Sequence, residues 1–385
     1  MQDVRHSRTT RIVAALTLFG KRLTVLTQRR ISLFVFAWVS FVAEVTIIGT
    51  GGAVRLTGSG LGCSDWPMCT PESLVPLPEQ GIHGVIEFGN RLMTGVVGIA
   101  ALAVLLLTWR HIHARRELIT TGWFALGSVL AATSVYVVVS FTPAEEFTWV
   151  AANAVLLAGV VWAAISTTRT APGRRDLVVL AWVVFSGVIA QALVGGITVL
   201  TGLNPWIVGF HYTSSLLLVC VTAAYLVRFR AVPRRRTRAV PGWFAGLTHI
   251  TGFFLAATIS FGVLTTASGP HSGDANVIRD GFDATFMSHV HAWPGYLLAV
   301  LVVALVIAAW SLRLPPLKWL LVLAVAIVVQ IVVGVWQARD GLPPLLVGIH
   351  MVLAALSAAA YTVVAMRLKI AAAATNSPAM SVETA

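Results

Sequence analysis

Three histidines lie inside apolar stretches of this sequence, where an ionisable side chain is costly and rare. His211, His291 and His350 each follow an outer turn by about six to eight residues, which is roughly 10 Å along a helix. Two neutral imidazoles on facing helices are the arrangement that holds a haem iron. The three histidines are therefore candidate axial ligands, although a single buried histidine is more often a hydrogen-bonded core residue.

The sequence repeats itself around two of these histidines. Residues 191–211 read QALVGGITVLTGLNPWIVGFH, and residues 330–350 read QIVVGVWQARDGLPPLLVGIH. Aligned without a gap, nine of the 21 positions are identical, including the first Gln, the Gly-Leu turn, a Pro and the closing His. The repeat predicts that His291 pairs with His350 in the second half of the chain. It also predicts that His211 pairs with a residue of the second apolar span.

A polar face runs down that second span. His83, Glu87, Asn90 and Arg91 occur at i, i+4, i+7 and i+8, so they share one side of a helix. One interpretation is a Glu87–Arg91 ion pair that makes both charges tolerable in lipid. The other is a carboxylate that moves protons or stabilises a developing cation, while Arg91 holds a propionate of a bound haem. Glu44, in the first span, has no evident partner.

Two cysteines share one short segment, CSDWPMC, in the first predicted outer loop. Cys63 and Cys69 would lie on the oxidising side of a membrane, where a disulfide persists. The pair is either a staple for the loop or a redox-active pair that exchanges with a thiol carrier. Cys220 falls in the middle of an apolar span and is interpreted as a small buried residue.

The composition places these residues in a membrane protein. Hydrophobic residues make up 57% of the chain and charged residues only 11%, against about 25% charged in a soluble domain. This excludes a cytosolic enzyme, a secreted disulfide scaffold and a nucleic-acid binder. Ten apolar runs are long enough to cross a bilayer. They are predicted at residues 31–54, 83–108, 118–141, 148–168, 177–200, 206–228, 243–266, 288–311, 317–337 and 346–366.

The net charge of +12 is a signature of membrane topology. With the N-terminus in the cytoplasm, 23 of the 27 Lys and Arg residues and four of the 15 acids fall on the inner side, a net +19. Three basic residues and nine acids fall outside, a net −6. Such an excess of positive charge inside predicts that both termini are cytoplasmic.

The apolar runs and the repeat together predict an all-α polytopic membrane protein. It would consist of two tandem four-helix bundles in the same orientation, which is a parallel repeat. The first half would span 31–228, with an inserted helical hairpin at 118–168, and the second half would span 243–367. A basic cytoplasmic linker, 229–242, would join them. A cytoplasmic tail, 1–30, would precede the first half, and a disordered tail, 368–385, would follow the second.

Several motifs together resemble those of the haem A synthase family, the cytochrome oxidase assembly enzymes. They are GGAVRLTGSGLGCSDWPMC (51–69), IEFGNRLMTG (86–95) and the two repeats that end in His. The similarity covers roughly 45–110 and 177–366. It implies oxidation of the C8 methyl of haem O to a formyl group, which gives haem A for cytochrome c oxidase, in the bacterial cell membrane.

The resemblance also implies a role for each matching residue. His291 and His350 match the ligands of a cofactor haem b in the second half. His211 matches one ligand of the substrate haem in the first half, and Glu87 matches the carboxylate implicated in catalysis. Cys63 and Cys69 match the outer-loop pair of many bacterial members. Haem O synthase and the oxidase that receives haem A are the implied partners, besides membrane lipids; no motif indicates the electron donor.

The sequence departs from the family at two places. Asn90, which aligns with His291 and so favours His291 over His289, stands where the family often has a histidine ligand. An amide is a poor ligand for haem iron, so the hypothesis here is a five-coordinate iron with an open face, rather than a substitute ligand from His83. The family usually has eight spans, and ten are predicted for this chain.

Three other functions use some of the same features. A dihaem cytochrome that only transfers electrons would need two histidine pairs but neither Glu87 nor Asn90. A haem transporter would fit tandem halves and a pocket open to the outside. A structural assembly factor would tolerate replacement of the histidines. Turnover of haem O distinguishes the enzyme from all three.

Overall fold

A computed structural model describes residues 30–142, 148–274, 277 and 283–372 of the chain. Ten long α-helices dominate this described part. They are α1 (Arg30–Leu56), α2 (Gly81–His111), α3 (Arg115–Val139), α4 (Thr148–Thr170), α5 (Arg175–Leu200), α6 (Pro205–Arg230), α7 (Gly242–Ser268), α8 (Ala284–Ser311), α9 (Leu317–Arg339) and α10 (Pro344–Arg367).

Each of these helices is long and apolar enough to cross a membrane, so the ten predicted spans are confirmed. Local sequence sets where several begin. Asn204 caps α6 by accepting from the Trp206 N–H, and Pro205 occupies the first helical position. Asp283 caps α8 by accepting from the Phe286 N–H at 2.6 Å. The protein is therefore an all-α polytopic membrane protein, as predicted.

The helices pack in two neighbouring groups. In the first, α5 packs against both α2 and α6; in the second, α7 packs against α8, and α9 against α8 and α10. Helix α6 also contacts α7 and α10, which joins the groups. Helix α1 lies at this junction, where Ile48 is buried with Leu216 of α6 and Ala355 of α10.

Matching residues of the two groups form matching apolar cores. In the first group Val97, Ala101, Val184 and Val188 are buried together. In the second, the equivalent positions of α8 and α9 form a core as well. The correspondence is Val97 with Leu298, Ala101 with Val302, Val184 with Leu323 and Val188 with Ile327.

The predicted insertion is a helical hairpin of α3 and α4. These two helices pack chiefly on each other, and α4 also contacts α5 through a buried cluster that includes Val160, Ala163 and Ala181. Helix α3 makes only a small contact with α2 and leaves large side chains such as Trp123 exposed. Residues 143–147, which connect the two helices, lie outside the described residues.

At the end of the bundle away from the cysteines, polar contacts connect the helix ends. Asp176 bridges Arg174 (3.1 Å) and Arg228 (2.7 Å). Strand β1 (Arg236–Arg238) pairs antiparallel with β2 (Lys369–Ala371). The prediction of a disordered tail from residue 368 is therefore wrong for 368–372, because backbone pairing orders a segment whose composition alone suggested disorder. Residues 373–385 and the N-terminal tail up to residue 29 lie outside the described residues.

The packing of α7 on α10 is tested by replacing Gly252 with Ala. A Cβ at this position would collide with the Tyr361 phenol, whose hydroxyl donates to the Thr248 carbonyl at 3.1 Å. We expect the free energy of unfolding in detergent to fall by about 1–3 kcal/mol, the usual cost of overpacking. Gly246→Ala, in the same helix but with open space around it, is the control and should leave stability unchanged or raise it by up to about 1 kcal/mol, because alanine favours a helix more than glycine does. Equal effects of the two substitutions would contradict this packing.

Candidate functional site

A cavity of about 320 Å³ opens among α1, α2, α5 and α6. Its wall is mainly apolar, with a few polar side chains from each helix. The loop that carries the two cysteines covers one end, which we call the disulfide end. The polar and charged side chains on the wall include Glu44, Arg55, Glu87, Asn90, Arg91 and His211. Four predicted site residues of the first half thus line one cavity.

The loop that closes the disulfide end is held by a covalent bond and by packing. Cys63 and Cys69 form a disulfide and are fully buried, as the sequence suggested. Trp66 lies flat against α5 at Gly196, where any Cβ would collide with the indole ring. Trp66 and Pro67 form part of the cavity wall, so the loop is the roof of the site.

Arg91 ties this roof to α2. Its Nη1 donates to the Met68 carbonyl (2.8 Å), and its Nη2 donates to the carbonyls of Asp65 (2.9 Å) and Cys63 (3.2 Å). The same Nη2 donates to Glu87 Oε1 at 2.6 Å. Arg91 therefore combines the helical ion pair of the first interpretation with a second task, which is to hold the loop.

Both carboxylate oxygens of Glu87 accept hydrogen bonds. Besides the contact of Oε1 with Arg91, its Oε2 accepts the Cys63 N–H at 2.6 Å. The residue is only 5% exposed, yet it lies on the cavity wall. A buried carboxylate is tolerated because a cation and a backbone donor satisfy it. Its position at the cavity surface still lets it act on a bound molecule.

A glutamine fixes the orientation of the His211 ring. His211 Nδ1 lies 2.7 Å from Gln191 Oε1, while Gln191 Nε2 donates to Ser214 Oγ (2.6 Å) and to the His211 carbonyl (3.3 Å). Because the glutamine amide is oriented by these two bonds, its oxygen accepts from Nδ1–H. The Nε2 lone pair of His211 is then free to bind a metal.

Asn90 has a polar partner of its own on α1. Thr50 Oγ1 donates to Asn90 Oδ1 at 2.8 Å. Gly51 lies beside the amide, since an ideal Cβ there would be 3.9 Å from both Oδ1 and Nδ2. Thr50 satisfies one lone pair of the amide oxygen, and the NH₂ group is the donor that Asn90 can offer to the cavity.

His291 of α8 and His350 of α10, which the sequence predicted to pair, lie next to each other. The ring centroids of His291 and His350 are 6.1 Å apart, and their planes are nearly perpendicular at 78°. An iron bonded to one nitrogen of each ring would set the centroids about 6 Å apart, since metal–imidazole bonds are about 2.0 Å long and each ring adds about 1.1 Å. The residues present therefore fit a bis-histidine haem.

The environment of each ring in this pair supports the same chemistry. His291 Nδ1 lies 2.8 Å from the Thr258 carbonyl, so Nδ1–H donates there and Nε2 is the free nitrogen. His350 Nδ1 and Gln330 Oε1 are both buried without a hydrogen-bond partner among the described residues. Gln330 is the repeat equivalent of Gln191, but it does not make the bond to the histidine that Gln191 makes to His211.

Glycines make room for all three histidine rings. An ideal Cβ at Gly195, Gly262 or Gly334 would lie within 3.4 Å of the Cε1 of the facing histidine. Gly195 and Gly334 are the same position of the repeat. The two glutamines and these glycines were not singled out from the sequence, although the first residue of the repeat is an identical Gln in both copies.

Two histidines that were considered from the sequence, His83 and His289, lie outside both sites. His83 is exposed and lies 2.9 Å from Ser59 Oγ, and His289 is exposed on the far side of α8 from His291. His271 contacts the Leu342 carbonyl at 2.7 Å, and its own carbonyl accepts from Arg55 Nε at 2.8 Å. His271 therefore links the outer loops of the two halves.

Comparison with known proteins finds one family model and several relatives that are similar to part of this chain. Residues 34–140 match the family COX15-CtaA, described as cytochrome oxidase assembly protein. A heme A synthase from Lysinibacillus sphaericus (strain C3-41) is 39% identical over 97 residues, which are 25% of this chain and 31% of the relative. Those from Geobacillus kaustophilus (strain HTA426) and Bacillus pumilus (strain SAFR-032) are 34% identical over 97 residues and 40% identical over 74.

The matched part of this chain spans less than a third of each relative: 31%, 29% and 23% of their lengths. The family match nevertheless includes the disulfide loop, Glu87, Asn90 and Arg91, together with the inserted helix α3. The resemblance predicted from the motifs is therefore confirmed for this segment. Residues 34–140 relate this membrane protein to the COX15-CtaA cytochrome oxidase assembly proteins.

Proposed function

We propose that this protein is a haem A synthase, which oxidises the C8 methyl of haem O to a formyl group. The observation that carries the proposal is the cavity beneath the disulfide loop. Its wall includes both Glu87 and a His211 ring that Gln191 orients. The family match over 34–140 supports it. The product, haem A, would be inserted into cytochrome c oxidase.

The first-half cavity takes the substrate in this proposal. His211 Nε2 binds the iron of haem O, with Gln191 holding the imidazole in the required tautomer. The basic side chains Arg55 and Arg91 lie at the disulfide end, where they attract the propionates. The C8 methyl shares a pyrrole ring with a propionate, so this orientation brings the methyl towards Glu87.

The second half holds the cofactor. His291 and His350 ligate haem b, for which their 6.1 Å separation is suited. This haem supplies one-electron chemistry between the substrate and an external electron donor or acceptor of unknown identity. The chain's own contribution would be to exclude water and, through the Thr258 carbonyl, to hold the His291 imidazole in one tautomer.

Glu87 is assigned to proton movement. Each of the two hydroxylations of the methyl involves proton transfer. With water as the oxygen source, two protons and two electrons leave the substrate and water together; with O₂, two protons and two electrons are taken up and one water is released. The geminal diol then loses water to give the aldehyde. A carboxylate on the cavity wall can accept such a proton or stabilise a benzylic-type cation. Arg91 and the Cys63 N–H hold both oxygens of Glu87 in place, so the group reacts from a fixed position.

Asn90 leaves the other face of the substrate iron open. Its amide oxygen is bound to Thr50, and an amide nitrogen is not a ligand for haem iron. A five-coordinate iron keeps a vacant position for a small oxygen ligand, which a hydroxylation requires. The NH₂ of Asn90 is then a hydrogen-bond donor beside that position.

The role of Glu87 predicts a loss of product without a loss of haem. In membranes supplied with haem O, Glu87→Gln and Glu87→Ala should lower the yield of haem A by at least about a hundredfold, the usual effect of losing a positioned acid–base group. Extraction of the haems followed by chromatography and mass spectrometry measures this yield. Glu87→Gln keeps one acceptor oxygen, which can serve either Arg91 or the Cys63 N–H but not both. The bonds from Arg91 to the three loop carbonyls do not depend on Glu87 and should still hold the roof.

The control is Glu79→Gln, at an exposed acid near the start of α2 that is off the cavity wall. It should make haem A at the wild-type rate. Wild-type amounts of haem A in both Glu87 variants would overturn the assignment. Haem b with unaltered haem O in the unmodified protein would favour the dihaem electron-transfer protein or the transporter.

The open iron face predicts the behaviour of Asn90→His. An imidazole at this position can bind the iron opposite His211, so a second low-spin bis-histidine signal should appear in the EPR spectrum of the haem O-loaded protein. Binding of carbon monoxide to the reduced first-half haem should weaken accordingly. A purely bis-histidine spectrum in the wild-type protein would refute five-coordination.

A further inference from the structure

The cavity of the first half has a second acidic residue, for which neither the fold nor the proposed reaction accounts. Glu44 lies in the middle of α1, is 2% exposed and contributes to the cavity wall. Its Oε1 is buried without a hydrogen-bond partner among the described residues. An unpaired carboxyl group in an apolar environment costs free energy, so a partner within the cavity would offset this cost.

Glu44 lies at the inner end of the cavity, opposite the disulfide end. Thr50, which marks the level of Asn90 through its 2.8 Å bond, is six residues further along α1. Glu44 is therefore about 9 Å deeper in the membrane along the helix axis. Around it the cavity wall is apolar and includes Val97, Val188 and Leu218.

The polarity of the cavity thus differs at its two ends. The charged side chains at the disulfide end are Arg55, Arg91 and Glu87. Among the wall residues that the structure describes, Glu44 is the acidic residue at the inner end. A haem O with its propionates at the disulfide end directs its opposite edge inward. That edge carries the hydroxyalkyl farnesyl chain, whose hydroxyl is the polar group that haem b lacks.

The corresponding region of the second half has no acid. Leu255 and Ile259 of α7 belong to the apolar core of the second group. This core matches the one that contains Val97 and Val188 in the first group. The segment Gly242–Ser268 contains neither Asp nor Glu. The half that is assigned to haem b thus has an apolar inner end, whereas the half that is assigned to haem O has a carboxyl group there.

We infer that Glu44 accepts a hydrogen bond from the hydroxyl of the hydroxyalkyl farnesyl chain, and so selects haem O over haem b in the first-half site. This inference rests on the proposed function and names the group that determines its substrate. A carboxyl oxygen accepts from a hydroxyl in either protonation state. A site built to bind a hydroxyl discriminates against an analogue without it, because its own polar group is then left unpaired.

The test compares binding of the two haems to full-length protein whose second site already contains haem b. Absorbance titrations with haem O and with haem b give the ratio of the two dissociation constants. In Glu44→Leu this preference for haem O should fall by about tenfold, the effect of losing one buried hydrogen bond. Glu44→Gln keeps an acceptor and should retain most of the preference.

Two controls separate selection from folding. Val42→Leu, on the exposed face of the same helix and off the cavity wall, should leave the preference unchanged. Glu44→Leu should unfold at the same or a higher temperature than wild type without added haem, since it removes an unpaired buried carboxyl. Where the leucine variant does not accumulate, Glu44→Ala provides the same comparison.

An unchanged preference in Glu44→Leu would overturn the inference. Retained preference in all variants, with haem A formation lost in Glu44→Gln, would instead assign Glu44 to proton transfer and also overturn it. Because binding is measured without turnover, the test is independent of the proposed reaction. A protein that prefers haem O through Glu44 but forms no haem A would refute the proposed function alone.

Discussion

The ion pair between Glu87 and Arg91 is the contact on which the architecture of the first-half site depends. Two charges inside an apolar bundle require compensation, and here the backbone of the disulfide loop provides it. Arg91 binds three loop carbonyls, and Glu87 accepts the Cys63 N–H. The same contacts therefore satisfy the charges, close the cavity and fix the carboxylate at its wall.

This arrangement gives the disulfide a structural role. Cys63 supplies both a carbonyl to Arg91 and an N–H to Glu87. A covalent link to Cys69 keeps the loop compact between these contacts and the Trp66 indole packed on Gly196. Of the two interpretations left open by the sequence, the staple is the one to which these contacts correspond.

The two halves show how one scaffold can hold two similar ligands for different purposes. Both place a histidine beside a glycine of the preceding helix, and both have a glutamine at the same position of the repeat. They differ where the proposed functions differ. Asn90 and Glu44 belong to the first half, whereas the second half has His291 and an apolar inner end.

Much of this could be predicted from the sequence, because its signals are strong. The lengths of the apolar runs predicted ten helices, and the repeat identified His211 and His350. The spacing of four residues predicted that Glu87 lies beside Arg91. Backbone partners and side-chain bonds between different helices have no such signal. The loop carbonyls around Arg91 and the side-chain bond from Thr50 to Asn90 therefore could not be foreseen. The strand Lys369–Ala371 was missed because the small and polar residues that follow it suggested disorder, and the sequence has no signal for its pairing with Arg236–Arg238. The glutamines could have been found, since Gln191 and Gln330 begin the repeat.

The most direct test of the central claim is to supply the protein with haem O and identify the haems it produces. The protein would be produced in membranes, purified, and its extracted haems separated by chromatography and identified by mass spectrometry. Haem A, or its hydroxymethyl precursor, is the result that a haem A synthase predicts. Haem b together with unmodified haem O would contradict the account.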